Sequence, residues 1–224
     1  MIPWLQLDTA RVPGADVQLR LMQRGAEFSM RLGQNELMSS RLSGSEEALA
    51  TLACRRIETV KRPHLLIGGL GMGFTLRAAL AVLGSDARIM VAELVPAVIG
   101  WARGPMADIF GDSLDDPRAS IREADVVDVI RSHDSAFDAI LLDVDNGPEG
   151  LIRKANDALY DLKGLNAIRR ALRPGGVLAV WSSGPNPLFS KRLRAAGFDV
   201  NEVAVRATTK RSGARHVIWF ATKP

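Results

Sequence analysis

His64-Leu65-Leu66-Ile67 runs directly into Gly68-Gly69-Leu70-Gly71-Met72-Gly73, and the segment from Phe74 to Leu83 follows with helical character. The apolar residues read as a short buried strand, and the glycine run as a sharp turn that opens a helix. A glycine motif has physical meaning in this context. Without a Cβ the backbone can turn tightly, and a ligand can approach the main chain closely. The stretch therefore predicts the nucleotide-binding edge of an α/β sheet. Its spacing, Gly69-x-Gly71-x-Gly73, lacks the third glycine of the dinucleotide fingerprint.

Downstream the chain keeps the same rhythm. Arg88 to Ala92, Ser120 to Ala124 and Phe137 to Leu142 read as strands, separated by helices over Val95 to Arg103 and Val126 to Arg131. A longer helix is predicted from Ala158 to Leu172, stopped by Arg173-Pro174-Gly175-Gly176. Val177 to Trp181, Phe198 to Val205 and His216 to Ala221 supply three more strands, with a helix over Pro187 to Ala196. The last two strands have no helix between them, so they are expected to form an antiparallel hairpin. Apolar strands alternating with helices imply a mostly parallel sheet covered on both faces. The predicted fold is α/β: a Rossmann-like, methyltransferase-type sheet of seven strands.

Residues 1–43 differ in texture and are expected to form a small N-terminal β-subdomain, with 44–224 as the ligand-binding domain. Val17 to Met22 and Glu27 to Leu32 alternate in polarity, and Gly33-Gln34-Asn35 turns into Glu36-Leu37-Met38. From Ser45 the period becomes helical, with Ala48, Leu49, Leu52, Ala53 and Ile57 on one face. Ser43 or Ser45 is the expected cap, and Glu46 and Glu47 suit the positive end of the helix dipole.

Composition narrows the function. The 224 residues are 47% hydrophobic and 24% charged, the balance of an ordinary folded protein. An aromatic content of 5% argues against a base-stacking surface for nucleic acid. The net charge of +4 draws partly on Arg206, Lys210, Arg211 and Arg215, read here as a solvated loop. The single cysteine, Cys54, lies in an apolar helical stretch and is expected to be a packing residue. His64, His133 and His216 are scattered, and no Cys/His cluster has metal-ligand spacing, so no metal is expected. Neither a signal peptide nor a membrane span is visible, which makes a cytoplasmic location the expectation.

Three acids stand at predicted strand ends. Glu93, about twenty residues beyond the loop, is placed to accept the ribose hydroxyls of an adenosine. Asp125 is placed either to meet an adenine amino group, with Val126 against the ring, or to cap the following helix. Leu141-Leu142-Asp143-Val144-Asp145-Asn146 ends a central strand, where side chains project into the ligand crevice of open α/β sheets. Asp143 there can take the proton of an alkylammonium nucleophile, and Asp145 adds negative field for a cationic substrate. The candidate ligand site is thus Gly69, Gly71, Gly73, Glu93, Asp125 and Val126, with Asp143, Asp145 and Asn146 facing an acceptor.

With these residues in hand, the chain resembles the spermidine synthase (polyamine aminopropyltransferase) family across nearly its whole length. Ile67 to Arg77 is similar to that family's nucleotide loop, which ends in Thr-Leu-Arg, here Thr75-Leu76-Arg77. Glu93 matches its ribose-binding acid, Asp125 its adenine-side acid, and Asp143 the first aspartate of its Asp-Ser-x-Asp-Pro loop. Tyr160, in Ala158-Leu159-Tyr160, resembles the tyrosine that helps orient the attacking amine. Arg173 to Leu178 resembles a Lys-Pro-Gly-Gly-Val-Leu ending. The resemblance implies decarboxylated S-adenosylmethionine as co-substrate, a small amine acceptor, Asp143 as general base and a homodimer.

The sequence also departs from that pattern. The family's glycine loop carries an acid that pairs with the donor's aminopropyl ammonium, whereas the non-glycine residues here are Leu70 and Met72. The second aspartate of the catalytic loop falls at Asn146. The family's Tyr-His-Glu-Met-Leu reads Ser45-Glu46-Glu47-Ala48-Leu49, and its Gln-Leu-Thr reads Glu36-Leu37-Met38. Intact S-adenosylmethionine would meet less repulsion from such a loop. A methyltransferase acting on a small molecule or protein therefore stands beside aminopropyl transfer, and a non-catalytic adenosyl-binding relative beside both.

Overall fold

The structure, a computed structural model, describes residues 2–144, 158–207 and 214–224. The chain opens with a four-stranded antiparallel meander of β1 (Leu5–Arg11), β2 (Gln18–Arg24), β3 (Glu27–Leu32) and β4 (Asn35–Ser39). β2 to β4 fall on the expected segments, and of the three β2 shows the alternation in its burial. β1 was not legible in the sequence. Most of its residues face solvent, so it carries no alternation of buried and exposed positions.

Helix α1 (Gly44–Arg56) leads into β5 (His64–Gly68), α2 (Phe74–Val82), β6 (Arg88–Glu93) and α3 (Pro96–Arg103). A short α4 (Ala107–Phe110) and a 3-10 turn (Gly111–Leu114) precede β7 (Ala119–Glu123), α5 (Val126–Arg131) and β8 (Phe137–Leu142). Then come α6 (Leu162–Ala171), β9 (Leu172–Ser182), α7 (Pro187–Ala195), β10 (Asp199–Arg206) and β11 (Arg215–Thr222). The main sheet has seven strands in the order β10-β11-β9-β8-β5-β6-β7. β7, β6, β5, β8 and β9 run parallel, while β11 pairs antiparallel with both β9 and β10.

Side chains alternate across this sheet, which splits the core in two. Leu65, Ile67, Ala139, Leu141 and Phe220 face one side, packed with α1, α2 and α3. Leu66, Ile140, Leu142 and Trp219 face the other, packed with α5, α6 and α7. Cys54 is buried in the first cluster, and burial pushes its thiol up to about 12, consistent with a packing role. Trp101 of α3 donates from Nε1 to Asp8 of β1 at 2.7 Å, which ties the N-terminal sheet to the main one.

Three local expectations need correction. Neither Ser43 nor Ser45 caps α1 with its side chain: Ser43 sits at the N-cap without such a bond, and Ser45 Oγ turns to Glu46 instead. The helix expected to run unbroken from Ala158 to Leu172 is interrupted at Asp161. That residue is extended (φ −77°, ψ 171°) and caps α6 by accepting a hydrogen bond from Gly164 N at 2.7 Å. The helix ends where expected, at Ala171, but Arg173-Pro174-Gly175-Gly176 is not a loop beyond it. It lies inside β9, where Gly175 N donates to Lys223 O at 2.8 Å and Lys223 N donates to Gly176 O at 2.9 Å.

The winding of the sheet decides where a ligand can sit. β6 flanks β5 on one side and β8 flanks it on the other, so the carboxyl ends of these three strands border the crevice at the topological switch point. At the opposite end Asp138, 5% exposed, accepts from His64 N at 2.7 Å and from the Arg173 guanidinium at 2.6 Å, joining β5, β8 and β9. Asp138→Ala should lower unfolding stability by about 1–3 kcal/mol, because both donors lose a charged acceptor. Urea titration of the two proteins measures this directly.

Candidate active site

The glycine loop needs its glycines for geometry. Gly69, Gly71 and Gly73 have φ of +88°, +51° and +77°, a region that L side chains rarely adopt. At Gly73 a Cβ would also lie 2.4 Å from the Phe110 ring, so helix α2 can begin there only with a bare backbone. The two intervening side chains, Leu70 and Met72, are 5% and 0% exposed and belong to the core. Both are packed into the first core cluster.

Glu93, at the end of β6, holds that loop in place. Its Oε2 accepts from Leu70 N and its Oε1 from Val95 N, each at 2.8 Å. It is 7% exposed, and burial raises its pKa, while hydrogen bonds from the backbone of Val95, Leu70, Gly71 and Leu94 pull the other way. Asp125 begins α5 and accepts from Val127 N at 2.9 Å. It is therefore the helix cap that one reading expected, and it also stands on the cavity wall that the other reading required.

A cavity of about 180 Å³ lies over these strand ends. Val12, Leu19, Met30, Leu37 and Met38 of the N-terminal meander and its flank cover one side. Gly69 and Gly71 of the loop, Ala92 to Val95, and Ala124 to Val126 line the strand ends, joined by Asp143, Val144, Trp181 and Glu46. The fold thus brings Gly69, Gly71, Glu93, Asp125, Val126 and Asp143 to one enclosure. A smaller adjoining hollow reaches Gly73 and Thr75 and shares Glu46 and Asp143. Tyr160 is not brought there: it is 1% exposed in the second core cluster, edge-on to Phe189 at 5.5 Å. Asp145 and Asn146 lie outside the described residues, as do Lys210 and Arg211.

Glu46, Thr75 and Trp181 were not singled out as site residues by sequence reasoning. Glu46 reads as a first-turn acid that favours the helix dipole, and nothing local says that α1 aims it at the cavity. The electrostatics are set by this residue and Asp143. Burial, then the Glu46 charge, push Asp143 up to about 8, against a hydrogen bond from Thr75. Burial raises Glu46 as well, opposed by Ser45, whose Oγ donates to Glu46 Oε2 at 2.6 Å. Ser45 Oγ lies 3.0 Å from His216 Nδ1, and the His216 ring meets Trp181 edge-on at 4.7 Å.

Four acids line the cavity (Glu46, Glu93, Asp125 and Asp143), and among the described lining residues there is no lysine, arginine or histidine. In a protein of net charge +4 this is a local reversal of sign. It suits a ligand that carries positive charge.

No family model matches the chain. Polyamine aminopropyltransferase 1 of Streptomyces coelicolor is 33% identical over 152 residues, a match that takes in 66% of this chain and 27% of that protein. The polyamine aminopropyltransferase of Mycobacterium tuberculosis is 31% identical over 157 residues, covering 66% of this chain and 29% of its own length. Over that stretch the chain is similar to polyamine aminopropyltransferases. The matches span under a third of these curated relatives, whose remaining length has no counterpart in the aligned part.

Solved structures show the same fold across nearly the entire chain. A spermidine synthase in complex with the transition-state analogue AdoDATO superposes with a TM-score of 0.75 at 20% identity, covering 98% of this chain and 72% of that one. The spermidine synthase of Thermotoga maritima gives 0.73 at 20% identity, over 98% and 73%. Among the described residues no helix is long and apolar enough to cross a membrane.

The raised carboxyls carry a thermodynamic signature. Asp143 holds its proton more tightly folded than unfolded, so its contribution to stability is complete below about pH 4 and is lost as pH rises toward 8. Asp143→Asn removes that loss. The melting temperature of the variant relative to the parent should therefore increase from pH 5 to pH 8.5, which differential scanning fluorimetry across that range would show. Glu93→Ala should cost about 1–3 kcal/mol in urea titration, because Leu70 N and Val95 N lose their acceptor.

Proposed function

We propose that the chain transfers an aminopropyl group from decarboxylated S-adenosylmethionine to a polyamine-type amine. The observation that carries this reading is the cavity: a glycine loop and four acids, without a basic side chain among its described residues, at the switch point of the sheet. An adenosyl sulfonium with an ammonium tail and an amine acceptor are both cationic, and both suit such a wall. The kinship with polyamine aminopropyltransferases and the fold shared with spermidine synthases support the same assignment.

In this reading the adenosine lies along Glu93, Asp125 and Val126, and the loop backbone lets the sulfonium approach β5. The acceptor's amine attacks the donor carbon attached to sulfur. A nitrogen–carbon bond forms, the carbon–sulfur bond breaks, and its electron pair neutralises the sulfonium to the thioether methylthioadenosine. The proton shed by the nitrogen goes to the ionised Asp143. Most of the acceleration comes from holding amine, carbon and sulfur in line, and the rest from timely removal of that proton.

The sequence offered a methyltransferase as the other enzyme reading, because Leu70 and Met72 leave the glycine loop uncharged. Both side chains are core residues, so the loop's lack of an acid leaves the charge around the donor to be set by other walls of the cavity. Incubation with decarboxylated S-adenosylmethionine and a panel of di- and polyamines should yield methylthioadenosine and an aminopropylated amine in equal amounts. Formation of S-adenosylhomocysteine from intact S-adenosylmethionine instead would overturn the proposal. Asp143→Asn should lower turnover by about 10²–10⁴-fold while methylthioadenosine still binds. For the parent protein kcat/KM should rise with pH and level off near 8, where free Asp143 becomes ionised.

A further inference from the structure

Glu46 and Asp143 reach one cavity from unrelated parts of the chain, the first turn of α1 and the end of β8. Both also line the hollow under the glycine loop, with Thr75 and the loop backbone. Two carboxyl groups so placed cannot both ionise cheaply, because each charge raises the cost of the other. The surroundings do not relieve them. Glu47 adds further negative charge beside Glu46, and Glu93 and Asp125 stand on the adjoining wall. His216, which reaches Glu46 only through Ser45, is kept toward its neutral form by burial.

Trp181 of β9 adds an indole to the wall of this enclosure. Trp181 lines the same cavity at 9% exposure, and its Nε1 has no hydrogen-bond partner among the described residues. A buried N–H without an acceptor is costly, and native interiors rarely keep one. The cavity itself holds an excess of carboxylate charge, which a ligand with a cationic end satisfies.

We propose that Glu46 is the specificity-determining residue for the donor: its carboxylate receives the donor's primary ammonium group beside the glycine loop. This rests on the adenosyl-donor reading above and adds to it the residue that reads the tail. Intact S-adenosylmethionine brings its own carboxylate toward the same two acids and is repelled. The decarboxylated form brings ammonium and sulfonium charges alone. Entry of those charges makes ionisation of both carboxyls favourable, so donor binding also converts Asp143 to the form that can accept a proton. Glu46 acts on the donor directly and on Asp143 only through its charge.

Calorimetric titration of the full chain separates these claims. Methylthioadenosine, which has no charged tail, reports the adenosyl site alone and should bind the parent and Glu46→Gln alike. Decarboxylated S-adenosylmethionine should bind Glu46→Gln about 10–100-fold more weakly than the parent, the scale of one charge-assisted hydrogen bond. Glu46→Asp should recover part of that loss, and the parent's preference for the decarboxylated over the intact donor should shrink in Glu46→Gln. Repeated at pH 7 in buffers of different ionisation enthalpy, donor binding should release protons from the parent and fewer from Glu46→Gln. Equal affinity of both proteins for the decarboxylated donor, with methylthioadenosine binding intact, would overturn the role of Glu46 and leave the adenosyl site standing. Failure of the parent to bind any of the three ligands would overturn the donor reading itself, and this inference with it.

Discussion

The carboxylate of Glu93 accepts one backbone N–H from the glycine loop and another from the start of the segment leading to α3. Through this one side chain the end of β6 fixes the loop that follows β5. A loop with three glycines at positive φ has no side-chain packing of its own to choose a conformation, and its backbone entropy favours disorder. The hydrogen bond from Leu70 N to buried Glu93 supplies that choice, along with Leu70 and Met72 anchored in the core. The floor of the cavity, the start of α2 and the approach to Asp143 all inherit their positions from this arrangement.

On that fixed floor the protein gathers charge of one sign. Sheet topology alone brings Glu93, Asp125 and Asp143 together, because β5, β6, β7 and β8 end side by side with their carboxyl ends at one edge. The N-terminal meander adds an apolar cover of Val12, Leu19, Met30, Leu37 and Met38. Lowering the local dielectric in this way strengthens attraction to a cation and repulsion between the acids alike. The raised pKa values of Glu46, Glu93 and Asp143 all have burial as their largest cause and are the expression of that constraint.

Where sequence reasoning succeeded, the signal was local. The apolar runs at Leu65, Ile89 and Ile140 are buried on both faces of the sheet and needed no partner to be recognised as strands. Where it failed, the deciding contact was distant or the local signal pointed elsewhere. β1 is exposed and shows no period. Asp161 sits within a helical pattern, yet its carboxylate captures Gly164 N and starts a new helix. The Pro-Gly-Gly run does follow the end of the helix, but what it forms next is decided far away: it pairs with Lys223 at the far end of the chain and becomes part of β9. Tyr160 looked like a site residue by resemblance and is packed against Phe189 in the opposite core.

The sequence by itself determined the order of strands and helices, the glycine turn and the acids at strand ends, because each follows from residue types a few positions apart. Tertiary structure alone decided that Glu46, Asp143 and Trp181 line one cavity. It also decided that Leu70 and Met72 face inward. The physical reason is that a residue's charge or apolarity is written in its side chain, whereas the field it experiences depends on which distant elements exclude water around it. Glu46 is an unremarkable first-turn acid until α1 packs against α2 and β9. Only then does its charge reach Asp143 and give the cavity its sign.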